Sequence, residues 1–191
     1  MSPKRIHLIR HAQSLHNAMA LTVADENTIK IDPALRDAAL SPLGHQQAQA
    51  LRSEMATVDG IELIIVSPFT RALQTTLHAF GDTRVPRIVH DLHRERLDSF
   101  CDVGRSPTAL AQDFPMLDFT HLDDPWWYTV AGATEPFTRE PMDILDQRVS
   151  AFTDYLQSLP EDCIAVVGHS TFLRTLAGRP FANAERFEMT I

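Results

Sequence analysis

The sequence predicts an α/β fold: a three-layer sandwich with a mostly parallel central sheet flanked by helices, one domain over residues 1–191. Three observations carry this. Short apolar runs alternate with stretches of helical periodicity along the chain. LIIV at 63–66 and IAVV at 164–167 are continuously apolar, as strands covered on both faces must be. Each run hands over to polar residues and then to a helix start, the order that a parallel strand–helix unit requires.

Taken in order, IHLI at 6–9 is the first strand. In LSPLGHQQAQALRSEMATV, Ser41 fits an N-cap and Pro42 the first helical position. Leu43, Ala48, Leu51 and Met55 give this helix an apolar stripe. The 63–66 strand ends in Ser67-Pro68, which opens another capped helix that Gly81 stops. PRIVHDL forms a third short strand, and Leu145, Val149, Phe152 and Leu156 mark a long helix. The 164–167 strand turns at Gly168 into a helix from Ser170 to about Gly178, and ERFEMTI alternates like an edge strand. Residues 96–140 break the alternation with several prolines and the group Trp126, Trp127 and Tyr128. An excursion of roughly 45 residues is too long for a plain connector, so it reads as a crossover insertion, a lid over part of a site. A purely structural role for the tryptophans, filling a satellite core, stands beside that reading.

Composition narrows the function classes. The net charge is −8 and the charged fraction 22%, which argues against nucleic-acid binding but leaves room for a pocket of inward-facing arginines. No apolar run approaches the length of a membrane span. The first residues lack the apolar core of a secretory signal, so a cytoplasmic protein is expected. Cys101 and Cys163 are far apart and read as ordinary free thiols. His7 and His11 would not form a chelating pair on an extended strand, and no metal site is expected.

The polar residues gather at strand exits. Arg10 and His11 follow the first strand, Ser67 and Arg71 the second, His169 the 164–167 strand, and Glu95 lies a few residues past Val89. Parallel strands bring such residues to one edge, where ligands of open α/β sheets bind. The residue types suit one job. Arg10 and Arg71 offer bidentate partners for a phosphate dianion. The backbone N–H of Ser170, at a helix start, adds a contact at the positive end of the dipole. An unprotonated histidine can accept a phosphoryl group, and nearby arginines favour the neutral ring. Its other ring nitrogen then needs an acceptor such as a backbone carbonyl. A second histidine stabilises the moving charge, and a carboxylic acid protonates the leaving oxygen.

RHAQSLHN, LSPLGHQQA, SPFTRALQT and GHS, in this order, resemble the motifs of the histidine phosphatase superfamily, also called the phosphoglycerate mutase-like family. Arg10, His11 and Ala12 match its Arg-His-small motif, with Ala12 where glycine is more usual. Asn17, the Ser67-Pro68 pair with Arg71, and His169 match further positions, and Asn183 to Glu185 resembles the late segment. The resemblance implies that fold, no cofactor, and His11 as phosphoryl acceptor. It places Arg10, His11, Arg71 and His169 around the phosphate, beside the Ser170 N–H of the helix start and with Asn17 at the margin, and makes Glu95 the proton donor, with Asp98 and Asp102 close by. The expected activity is metal-independent hydrolysis of small phosphomonoesters through a phosphohistidine at His11. A cofactor-dependent phosphoglycerate mutase and a non-catalytic phospho-ligand binding protein are the alternatives. The chain is short for such a mutase, which favours the phosphatase. Arg94, Arg96, Arg105, His90 and His93 supply candidates for a second anionic group of the substrate, such as a carboxylate.

Overall fold

The computed structural model describes residues 3–133 and 137–191. In chain order the elements are β1 (Arg5–Arg10), α1 (Leu15–Ala20), α2 (Asn27–Lys30), α3 (Pro42–Met55), β2 (Leu63–Val66), α4 (Thr70–Phe80), β3 (Arg87–Val89), α5 (Pro107–Asp113), α6 (Met142–Ser158), β4 (Cys163–Gly168), α7 (Ser170–Ala177) and β5 (Arg186–Thr190). Single 3₁₀ turns lie at Pro33–Leu35 and Phe100–Asp102.

The five strands form one sheet in the order β3-β2-β4-β1-β5. The first four are parallel, and β5 closes the edge antiparallel to β1. Every residue of β2 and β4 is buried, the pattern of central strands covered on both sides. Strand parity then sorts the core. Ile9, Ile64, Val66, Ala165 and Val167 face α3, α4 and α5. Ile6, Leu8, Leu63, Ile65, Ile164 and Val166 face α6 and α7. These are the three expected layers.

Local chemistry sets the helix boundaries. Ser41 Oγ accepts from Gly44 N–H at 3.0 Å, and Pro42 stands at the first turn of α3. Its inward face is Gly44, Ala48, Leu51 and Met55; Leu43, expected in the stripe, is 48% exposed. Gly44 replaces it because a Cβ there would lie 1.9 Å from the Gln13 carbonyl oxygen. The helix after β2 starts at Thr70, later than the Ser67-Pro68 pair suggests, and no side chain of its own segment caps it. Asp37, from the loop before α3, accepts from both the Thr70 N–H (2.8 Å) and its hydroxyl (2.5 Å) instead. Gly178 ends α7 at φ +69°, a conformation that favours glycine.

The 96–140 excursion has two parts, and residues 134–136 of it lie outside the described residues. Its first part holds the Phe100–Asp102 turn. Its later part packs Trp126 into the main core, edge-on to Phe69 at 4.7 Å. Trp126 and Trp127 thus extend the core around α4 rather than forming a satellite. Cys101 and Cys163 are buried free thiols.

Candidate active site

The strand register itself assembles the site. Arg10 of β1 pairs with Gly168 of β4, and His11 N–H donates to Gly168 O at 2.9 Å. His11 and His169 therefore leave adjacent strands side by side, their ring centroids 5.1 Å apart. On the other flank of β4, Ser67 N–H donates to Val167 O at 3.1 Å, and its hydroxyl lies 2.7 Å from His169 Nε2. Ser67 is thus a partner of His169 and not a helix cap.

His11 Nδ1 lies 2.7 Å from Ala12 O. A carbonyl only accepts, so Nδ1 carries the proton of the neutral ring and Nε2 keeps its lone pair. Burial, then the Arg71 and Arg10 guanidinium groups, push this imidazole well below its ordinary value. Burial, then Arg71 and His11, do the same to His169. Its Nδ1 is buried without a partner among the described residues. The residue that supplies this carbonyl is tied down on both sides: Ala12 N–H donates to Thr75 Oγ1 of α4 at 3.0 Å, and Gln13 N–H, in the same peptide as the carbonyl, donates to Gln47 Oε1 at 2.9 Å.

A cavity of about 340 Å³ opens over these residues. Arg10, His11, Asn17, Arg71, Glu95 and Ser170 all line it. His169 does not; it lies behind, fully buried. Arg10 reaches in from the end of β1 with one nitrogen on Phe181 O at 2.7 Å. Arg71 projects from the first turn of α4. Asn17 closes a capping box with Ser14 at the start of α1 and accepts from Asn183 Nδ2 at 3.2 Å. Asn183 also donates to His11 O at 3.1 Å, which ties the late NAE segment to the site. Glu95 caps α7: its carboxylate accepts from Thr171 N–H at 3.0 Å, Phe172 N–H at 3.3 Å and Arg96 N–H at 2.8 Å. Ser170, first in the helix, lines the cavity beside this cap.

The neighbouring acids divide. Asp98 pairs with Lys30 at 3.2 Å and with Arg139, whereas Asp102 pairs with Arg71 at 2.9 Å. The five cationic candidates for a second anionic group also divide. Only Arg96 lines the cavity. Arg94 is committed to Glu140, Arg105 to Asp113, His90 to the Asp91 side and the ring of Tyr155, and His93 to the core beneath Phe152. His93 and Arg94 lie elsewhere because the segment after β3 turns inward, so sequence neighbours point to different layers. His16 and Lys30 also line the cavity. Among the described residues no three His, Cys, Asp or Glu side chains gather as a metal site, and no helix is long and apolar enough to cross a membrane.

Some supporting residues have no signature in sequence, among them Thr75 and Asp37, which act across the fold. One had a signal. Arg148 lies between Leu145 and Phe152 on the apolar face of α6, and a charge at that phase marks a buried ion pair.

A family model described as the histidine phosphatase superfamily (branch 1) matches residues 6–190. A phosphoglycerate mutase-like protein of Arabidopsis thaliana is 31% identical over 208 residues, spanning 91% of this chain and 73% of that protein. A probable phosphatase of Schizosaccharomyces pombe is 31% identical over 179 residues, spanning 90% of this chain and 76% of its own. Among solved structures, the alpha-ribazole phosphatase of Shigella flexneri superposes with a TM-score of 0.64 at 18% identity, over 96% of this chain and 89% of that one. A mycobacterial glucosyl-3-phosphoglycerate phosphatase gives 0.60 at 16% identity, over 99% and 91%. At these identities the structural likeness speaks for the fold.

Proposed function

The chain belongs to branch 1 of the histidine phosphatase superfamily, and from that premise we propose that it hydrolyses small phosphomonoesters through a phosphohistidine at His11, without a metal ion. The observation that carries this reading is the His11 ring: Nδ1 is tied to Ala12 O at 2.7 Å, Nε2 has a free lone pair, and Arg10 and Arg71 share its cavity. A cavity of about 340 Å³ is at the small end of ligand pockets and fits a compact ester.

In the first step Arg10, Arg71 and the Ser170 amide hold the phosphoryl oxygens, with Asn17 at the margin. His11 Nε2 attacks phosphorus; the N–P bond forms as the bond to the leaving oxygen breaks. Glu95 passes its proton to that oxygen, and the alcohol departs. His169, backed by Ser67, stabilises the charge spread over the transferring group. In the second step Glu95 takes a proton from water, whose oxygen attacks phosphorus and releases phosphate and free His11. Each step moves one proton through Glu95, so the carboxyl is restored after one turnover.

The test is a generic aryl phosphate assayed with EDTA present. Turnover that survives the chelator and disappears in His11→Ala supports the proposal; turnover that survives in His11→Ala defeats it. Glu95→Gln loses far more activity on alkyl than on aryl esters if Glu95 serves the leaving oxygen. Conversion of 3- to 2-phosphoglycerate, accelerated by the bisphosphorylated form, would instead make the protein a mutase. Phosphate binding with no turnover of any ester would make it a binding protein.

A further inference from the structure

Arg71 enters the cavity with its guanidinium already engaged. One terminal nitrogen donates to Cys101 O at 2.8 Å and the other to Asp102 Oδ1 at 2.9 Å. Its face lies 4.3 Å from the Phe69 ring centroid. Asp102 is buried, lines the same cavity, and among the described residues has only the Asp98 N–H on its other oxygen, at 3.3 Å. Glu95 is a second acidic side chain on the cavity wall. A site suited to a dianion thus contains two acids, and one of them occupies a guanidinium that the dianion needs. Like charges confined in a small space cannot all remain ionised, and an oxyanion bound at Arg71 competes directly with Asp102.

Resting on the phosphatase reading above, we propose that Asp102 is a positioning residue that trades charge for a hydrogen bond: as a carboxylate it holds Arg71 in the free site, and it takes up one proton when a dianionic oxyanion binds. The proton comes from solvent. It stays on Asp102 and is shared in a hydrogen bond with the bound oxyanion, which takes over the Arg71 nitrogen. No other bond forms or breaks. The net charge brought into the cavity falls from two negative units to one.

The surroundings favour this exchange. Burial raises the Asp102 carboxyl to about 6, outweighing the attraction of Arg71, and Glu95 adds to the rise. Cys101, on the same turn, donates its thiol to Asp102 Oδ1 at 3.5 Å; burial pushes that thiol up, so it remains a thiol. From β1 and α1 the cavity receives Arg10, His11 and His16, and from the α2 side Glu26 and Lys30. Asp98 and Arg96 complete its charged wall. The histidines among these start neutral, since burial first and Arg71 next push both His11 and His16 down.

Sulfate is the probe, because it is a dianion that does not titrate near neutrality. Isothermal titration of the full chain at pH 7.5, in buffers of differing ionisation enthalpy, counts protons taken up per sulfate. The expected count for the unmodified protein is close to one. Asp102→Asn should take up fewer by more than half a proton and bind sulfate about 30-fold more tightly at pH 7.5, roughly tenfold for each pH unit above the free carboxyl's value. Equal counts and equal affinities in the two proteins overturn the inference. Should the variant not fold, the unmodified protein decides: sulfate affinity must fall close to tenfold per pH unit between about 7 and 8. A flat profile, or no sulfate binding, refutes the inference. The phosphatase reading is judged separately, by EDTA-resistant turnover of the aryl ester.

Discussion

Replacing Glu140 by glutamine tests how the Glu95 segment is anchored. Glu140 is fully buried between two guanidinium groups. It accepts from Arg148 Nε at 2.8 Å and Nη2 at 2.7 Å, from Arg94 Nη2 at 3.3 Å, and from Leu97 N–H at 3.4 Å. Its main chain is committed to the same segment, with N–H to Leu97 O at 2.9 Å and carbonyl to Arg96 Nε at 2.7 Å. Arg148 in turn holds Leu92 O at 2.6 Å and Arg94 O at 3.0 Å. Residues 92–97, with Glu95 among them, hang on this pair. Glutamine keeps the shape but removes the charge and places an N–H₂ against a guanidinium. Breaking a buried pair on one side costs about 3–5 kcal/mol. For a chain of this size each kcal/mol moves Tm by roughly 2–4 °C, so a fall of about 6–20 °C is expected. Urea unfolding followed by tryptophan fluorescence, with m unchanged, measures it. A loss below about 1 kcal/mol would mean that the pair is solvated, and the anchoring argument would fail. Activity on the aryl phosphate should drop about tenfold in the folded variant, because Glu95 loses its fixed place over the α7 amides.

Other substitutions probe other contacts. Gly44→Ala puts a Cβ 1.9 Å from Gln13 O and should destabilise by at least about 2 kcal/mol, read as a lower urea midpoint; an unchanged midpoint would show that the close approach is absent. Thr75→Val strands the Ala12 N–H, and a cost of about 1–3 kcal/mol together with reduced kcat is expected, since that bond anchors the residue whose carbonyl orients His11. His93 is fully buried, stacked on Phe152 at 4.7 Å, and burial pushes it down to about 3. The folded state therefore binds fewer protons at this group than the unfolded state does. Its contribution is present above about 6.5 and is lost as pH falls towards 3, up to about 1.4 kcal/mol per pH unit. Stability measured between pH 6 and 4 should fall less steeply in His93→Phe; parallel profiles would assign the acid loss elsewhere.

Much of the fold could be read directly because its central strands are buried on both faces and their residues have few alternatives. β2 and β4 appear as uninterrupted apolar runs, and α3 and α7 open and close with the Ser41, Pro42 and Gly178 signals. The strand exits placed Arg10, His11, Arg71 and Glu95 at one cavity with His169 behind them. The short helices were not legible: α1 buries no residue, so it has no apolar stripe to detect. Neither was the capping of α4, because Asp37 arrives from a loop 33 residues away. The basic cluster at 90–105 looked continuous in sequence, but an inward turn after β3 sends His93 and Arg94 to the core and leaves Arg96 at the cavity.

The distance between the two imidazoles is a property of the sheet. His11 and His169 follow β1 and β4 at the same register, and their 5.1 Å separation is close to the roughly 4.8 Å between hydrogen-bonded neighbouring strands. To move their main chains apart, ladder hydrogen bonds in the middle of the molecule would have to break. The wall built by residues 96–102 and α2 lies outside that ladder and is held by side-chain contacts such as Asp98 with Lys30 and Arg96 with Glu140. A lineage carrying this scaffold can therefore change what the cavity admits by rebuilding that wall, while the strands that carry the two imidazoles stay in place.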